Sequence, residues 1–171
     1  MTATTKNSAA EFVEFFATGW KLGASDAAGF VRHFGPRMHP DTVLIQPIAP
    51  PARGLHALRD LFGPLFTAVP DLRGELQRWG ETVDGVFIEL TLSGHLGSKP
   101  LEWTVVDRII LEDGLIRERR SYFDPAPLLQ AVALQPRASL PLLLSALHSL
   151  SLIASFGGSV RLLVEDEQAS R

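Results

Sequence analysis

Cysteine is absent from the 171 residues. No disulfide and no thiolate metal site can form, which suits a reducing compartment and makes a cytoplasmic location the expectation. Neither sign of charge dominates: 16 Lys and Arg stand against 19 Asp and Glu. A chain without a basic excess has little to offer a phosphate backbone, so nucleic acid is not an expected partner. His33, His39, His56, His95 and His148 never fall at a two-His-plus-acid spacing on one helix, so no metal is expected. There is neither a Gly-x-Ser-x-Gly elbow nor a glycine loop that would cradle phosphates, and no cofactor is expected. Residues Met1 to Ala10 lack a basic segment followed by an apolar one, so no secretory signal is expected.

What is present is ordinary globular material, 46% hydrophobic and 20% charged, enough for one core. Phe12, Phe15, Phe16 and Trp20 recur at three- and four-residue spacing, which predicts an amphipathic helix over Ala9 to Leu22. Ser25 or Asp26 can cap a second helix through Phe30, Val31 and Phe34, ended by Gly35-Pro36. Thr42 to Ile48 reads as a strand closed by Pro47 and Pro50-Pro51. Gly54 leads into a third helical stretch, Leu55 to Val69, which Pro64 should interrupt or kink.

After Pro70-Asp71 the period becomes two. Leu72 to Thr82, Val86 to Leu96, Leu101 to Leu111 and Leu115 to Phe123 read as consecutive antiparallel strands, with turns at Asp84-Gly85, Gly94 to Pro100 and Asp113-Gly114. Helices first and a meander afterwards predict an α+β fold with the helices on one face of the sheet. From Ala138 to Val160 there are 23 residues without Asp, Glu, Lys or Arg, long enough to cross a bilayer. Six serines, His148, Pro141 and Gly157-Gly158 interrupt that stretch. It is expected to pack as a helix on the domain or a partner subunit; a membrane-surface helix or a span is the alternative.

One acid breaks the apolar pattern. Asp107 lies in the strand Leu101 to Leu111, where an unpaired charge would be expensive. A two-residue turn would set it opposite Arg120 and oppose Arg108 to Arg119. A three-residue loop, Glu112-Asp113-Gly114, would instead pair Asp107 with Arg119 and Arg108 with Glu118, and opposed unlike charges favour this second register. It places Trp103, Val105, Asp107 and Ile109 on one face with Arg117, Arg119, Ser121 and Phe123. Trp79 and Trp103 are expected in the core or in a pocket wall, and Tyr122 on the opposite face.

The order of elements, with Pro70-Asp71-Leu72, Val106-Asp107-Arg108 and Arg120-Ser121-Tyr122-Phe123-Asp124-Pro125, resembles the nuclear transport factor 2-like superfamily in its SnoaL-like branch. The resemblance covers roughly residues 8 to 135. It implies a curved antiparallel sheet forming a cone around the N-terminal helices, with an apolar pocket and often a homodimer. Residues 1–135 would form that domain and residues 136–171 an apolar helical extension. The resemblance also tests chemistries. In ketosteroid isomerases an Asp base ends the first strand, where this chain has Gln46, and an amide takes up no proton at neutral pH. Limonene-type epoxide hydrolases read Arg-Asp-Tyr-Phe-Asp at the last strand, where Ser121 replaces a needed carboxylate. A SnoaL-type cyclase needs an Asp acid/base in an apolar pocket, and Asp107 fits that need.

Two functions therefore stand. One is an enzyme of isomerase or cyclase type acting by proton transfer on a small, mostly apolar carbonyl compound. Asp107 would be its acid/base, Arg119 would hold the oxyanion, and Gln46, Trp103, Val105, Ser121, Phe123 and Trp20 would line the substrate. The other is a binding or carrier protein with the same pocket and no turnover, in which Asp107 and Arg119 form a structural ion pair.

Overall fold

The computed structural model describes residues 3–47 and 49–137, together with Ser139, Leu140, Leu142 and Leu144. Most of the uncharged stretch 138–160 and the end of the proposed extension lie outside the described residues.

Helix α1 spans Ala3–Leu22 and buries Phe12, Val13, Phe16 and Trp20, the stripe that the spacing predicts. A 3₁₀ turn, Gly23–Asp26, leads to α2, Ala27–Phe34. Asp26 is the N-cap: its carboxylate accepts the Gly29 N–H over 2.8 Å. Phe30 and Phe34 point inward from α2, and a second 3₁₀ turn, Gly35–Arg37, delivers the chain to β1, Met38–Gln46. The first strand thus begins four residues before the expected start.

Pro50-Pro51 does not merely end that strand. Both prolines sit in a further strand, β2, Ala49–Arg53, paired antiparallel with β1. Proline has no N–H for a ladder, and β2 is an edge strand where one side needs none. Helix α3 follows, Ala57–Ala68, and continues through Pro64. Its buried face carries Leu58, Leu61, Phe62, Leu65 and Phe66.

Four strands then run as β3, Arg73–Glu81; β4, Gly85–Leu96; β5, Lys99–Glu112; and β6, Leu115–Tyr122. The expected turn from Gly94 to Pro100 shrinks to Gly97-Ser98, because β4 keeps its expected end at Leu96 and β5 begins at Lys99, two residues before the expected Leu101. Helix α4, Ala126–Leu134, for which the sequence pattern predicts no element, packs against β5. The sheet order is β2-β1-β6-β5-β4-β3. Neighbours are antiparallel except β1 and β6, which are parallel, so the sheet is mixed and open. Along β4 and β5 burial alternates: Val86, Ile88, Leu90 and Leu92 on one, and Leu101, Trp103, Val105, Asp107 and Ile109 on the other, face the helices.

The β5–β6 hairpin departs from both registers considered. Its turn has two residues, Asp113 and Gly114, with φ of 51° and 77°. Consecutive positive φ values suit a two-residue hairpin turn, and glycine adopts them without a Cβ penalty. Glu112 then pairs with Leu115 and Leu111 with Ile116, but Ile110 pairs with Glu118, leaving Arg117 as an extra residue. This β-bulge slides the rest of the ladder, so Asp107 faces Ser121, Arg108 faces Arg120 and Ile109 faces Arg119. Arg117 consequently leaves the inner face assigned to it and pairs at the surface with Glu112 and Asp41.

Candidate functional site: a buried aspartate–arginine pair

The inner face of the sheet holds three buried polar side chains in one cluster. Asp107 is fully buried, Arg119 is 4% exposed and Ser121 is 3% exposed. Arg119 Nε donates to Asp107 Oδ2 over 2.7 Å, and Ser121 Oγ donates to Asp107 Oδ1 over 2.6 Å. Each carboxylate oxygen therefore has its own donor, as a buried charge requires.

The guanidinium is held by more than Asp107. Its central carbon lies 5.3 Å from the Phe62 ring centroid and 6.0 Å from that of Trp20, within range of a cation–π attraction. Those rings belong to an aromatic group in which Trp20, Phe30 and Phe62 meet edge-on at 5.2–5.5 Å. Arg119 Nη1 nevertheless has no hydrogen-bond partner among the described residues. Arg119 also forms part of the wall of an interior void, otherwise made by apolar side chains including Trp20, Phe34, Met38, Leu58 and Phe62. The volume of this void is about 10 Å³. That is room for one water, and a larger guest enters only if the lining separates.

Among the other residues singled out by sequence, Ser121, Trp20 and Arg119 meet at the cluster. β1 runs parallel to β6 with Leu44 beside Arg119 and Ile45 beside Arg120, and Gln46 ends the strand one residue further on. Gln46 is half-buried. Val105 and Trp103 are buried further along β5, and Trp103 Nε1 has no partner. Phe123 is half-buried and packs against the core. Trp79 is 40% exposed on edge strand β3 and is not the wall residue expected of it. Tyr122 is half-exposed on the outer face. Phe62 went unrecognised: the period of α3 marks it as apolar, but nothing in the linear pattern says that it stacks on Arg119.

Helices laid on one face of an open mixed sheet, with a polar cluster inside, define the nuclear transport factor 2-like fold. The model of the SnoaL-like domain matches residues 9–119, and the chain belongs to that family. Solved structures agree. A protein assigned as a SnoaL-like polyketide cyclase from Jannaschia sp. CCS1 is 21% identical, with a TM-score of 0.64 over 74% of this chain and 92% of its own. A protein assigned as a polyketide cyclase from Bacillus cereus ATCC 10987 is 17% identical, with a TM-score of 0.63 over 78% and 86%. IdmH from Streptomyces antibioticus, assigned as a polyketide cyclase, is 16% identical, with a TM-score of 0.59 over 72% and 97%. At these identities the likeness is one of fold. Curated proteins give no match to this chain.

Proposed function

We propose that this chain is a small-molecule pocket protein that holds a small, mostly apolar carbonyl compound with its oxygen against Arg119. The observation that carries this reading is the unpartnered Arg119 Nη1 beside a void walled by aromatic and aliphatic side chains. A buried N–H without an acceptor costs free energy, and a ligand carbonyl supplies the acceptor while its hydrocarbon body suits the wall. Asp107 then serves to aim the guanidinium, since its oxygens are taken by Arg119 and Ser121.

A second reading adds turnover of isomerase or cyclase type without a cofactor. It is favoured by the presence of a fully buried carboxylate beside the oxygen-binding guanidinium. Asp107 would take a proton from the carbon next to the carbonyl, Arg119 would hold the enolate oxygen, and the proton would return to carbon or oxygen. Gln46, Trp103, Val105, Ser121, Phe123 and Trp20 would orient the substrate. The polyketide cyclase assignments of the structural neighbours point the same way.

Both readings take the protein as a cytoplasmic homodimer, with residues 1–135 as the pocket domain and 136–171 as an apolar extension. Phe87 and Tyr122 on the outer sheet face, and Leu129 and Leu134 on α4, are exposed apolar groups that would suit a partner subunit. No helix among the described residues is long and apolar enough to cross a membrane.

The test uses 1-tetralone and tetralin, which share a shape and differ by the carbonyl. Trp fluorescence should report saturable binding of the ketone and weaker binding of the hydrocarbon. The paired variant Asp107→Leu with Arg119→Met should lose that preference. Equal affinity for the two compounds in the unaltered protein would sink the reading. Deuterium uptake at the carbon beside the carbonyl, followed by NMR in D₂O, tests turnover: exchange that disappears in Asp107→Asn supports it, and exchange at the buffer rate removes it.

A further inference from the structure

The wide groove near the end of β4 shares no residue with the void beside Arg119. About 570 Å³ in volume, it is lined by Thr67, Ala68, Pro70, Asp71, His95, Gly97 and Arg137. Its floor is built around one carboxylate. Asp71 Oδ1 accepts the backbone N–H of His95 over 2.8 Å, and Asp71 Oδ2 lies 2.7 Å from His95 Nδ1. A carboxylate only accepts, so Nδ1 carries the proton and Nε2 is the nitrogen left for another partner. Asp71 Oδ2 thus orients the ring, while Oδ1 of the same carboxylate ties down the His95 backbone.

Gly94 permits this arrangement. A Cβ there would lie 2.6 Å from Val69 Cγ1 and 3.1 Å from Asp71 Oδ1, so only glycine lets β4 pass this close to the Pro70-Asp71 turn. The backbone and ring of His95 then reach the same carboxylate. Arg137, just past α4, completes the lining; it is exposed and makes no ion pair or hydrogen bond among the described residues. The groove lining therefore includes an imidazole held by Asp71 and a guanidinium with no partner among the described residues.

We propose that this groove binds the phosphate group of a small phosphorylated molecule, held between His95 Nε2 and the Arg137 guanidinium. A phosphate monoanion, the form that prevails below its second pKa of about 6, suits both at once. Its charged oxygens accept from the planar guanidinium, and its P–OH shares a proton with the Nε2 lone pair. A simple carboxylate has no such proton at neutral pH and satisfies only Arg137. The groove is far larger than a phosphate, so the rest of the molecule lies along Thr67, Ala68 and Pro70.

The test is an NMR titration of the full-length protein with inorganic phosphate, phenyl phosphate and acetate at about pH 6, where each phosphate keeps a P–OH fraction, observed at the His95 ring. Both phosphates should produce saturable shifts and acetate should not. Tighter binding of phenyl phosphate assigns the site to a phosphate ester, and equal affinity assigns it to free phosphate. Arg137→Gln, and His95→Ala followed on the ligand's ³¹P signal, should each weaken binding by about tenfold, a loss of ~1.4 kcal/mol. Both residues are on the surface, and an unchanged melting temperature should accompany the loss in Arg137→Gln. Absence of saturation with either phosphate, acetate binding as well as phosphate, or full affinity in Arg137→Gln would overturn the proposal.

Discussion

Arg119 donates its Nε–H to Asp107 Oδ2 over 2.7 Å, although the two residues do not face each other across the hairpin. The contact is diagonal: Asp107 sits opposite Ser121, and Arg119 reaches back from the position beside Ile109. Only a long side chain spans that offset. Replacing Arg119 with Ala strands a fully buried carboxylate. The expected loss in urea denaturation is about 3–5 kcal/mol, the scale of breaking a buried ion pair. Adding Asp107→Leu to Arg119→Met should restore much of it, because the apolar pair removes both charges. A single Arg119→Met as stable as the unaltered protein would contradict this account.

Ser121 is the second donor to the same carboxylate, at 2.6 Å on Oδ1. Ser121→Ala leaves Arg119 in place and removes one hydrogen bond to a charged group, so the expected cost is about 1.5–3 kcal/mol. The informative comparison is rank: Ser121→Ala must cost less than Arg119→Ala. The opposite order would mean that Arg119 is not the group that compensates Asp107.

Charge logic identified the right contacts in this hairpin and the wrong pairing. Opposed charges favour a register with Asp107 facing Arg119 and Arg108 facing Glu118. The structure makes both contacts along diagonals, with Arg108 Nη1 3.7 Å from Glu118 and Nη2 2.9 Å from Asp84. Two arginines, Arg108 and Arg120, do face each other, and Glu118 and Asp84 offset them. The bulge at Arg117 decided the register, and one extra residue leaves no mark in a run of alternating side chains. The strands themselves were legible because β-branched and aromatic residues stop at Asp-Gly turns. β2 was hidden by Pro50-Pro51, which only an edge position tolerates. Phe62 was hidden because the period of α3 gives a buried face without naming what it meets.

Thr42 offers a substitution whose expected sign runs against habit. It is fully buried, and its Oγ1 has no hydrogen-bond partner among the described residues. Valine keeps the branched shape and removes the unpaired hydroxyl. Since a buried unsatisfied group carries its desolvation cost without return, Thr42→Val should raise stability by about 1 kcal/mol. Calorimetry would show it as a higher melting temperature. A clear drop instead would mean that the hydroxyl finds an acceptor in solution, such as an ordered water.

The Asp71–His95 pair sets an acid limb of stability. The side-chain hydrogen bond from His95 is the largest influence on Asp71; with the His95 backbone N–H, it outweighs desolvation and holds the carboxyl below its ordinary value of 3.8. A carboxyl whose folded pKa lies below its unfolded one binds its proton more weakly when folded. Its contribution is therefore present above the unfolded value and is lost as pH falls through the folded one. Asp71→Asn should lower stability relative to the unaltered protein at pH 6, and the gap should close below about pH 4, where unfolded aspartate takes up its proton. Both side chains are about half exposed, so added salt should narrow the gap as well. Thermal melts of the two proteins across that range decide the matter: a gap that stays constant into strong acid would show that the charge on Asp71 is not what stabilises the turn.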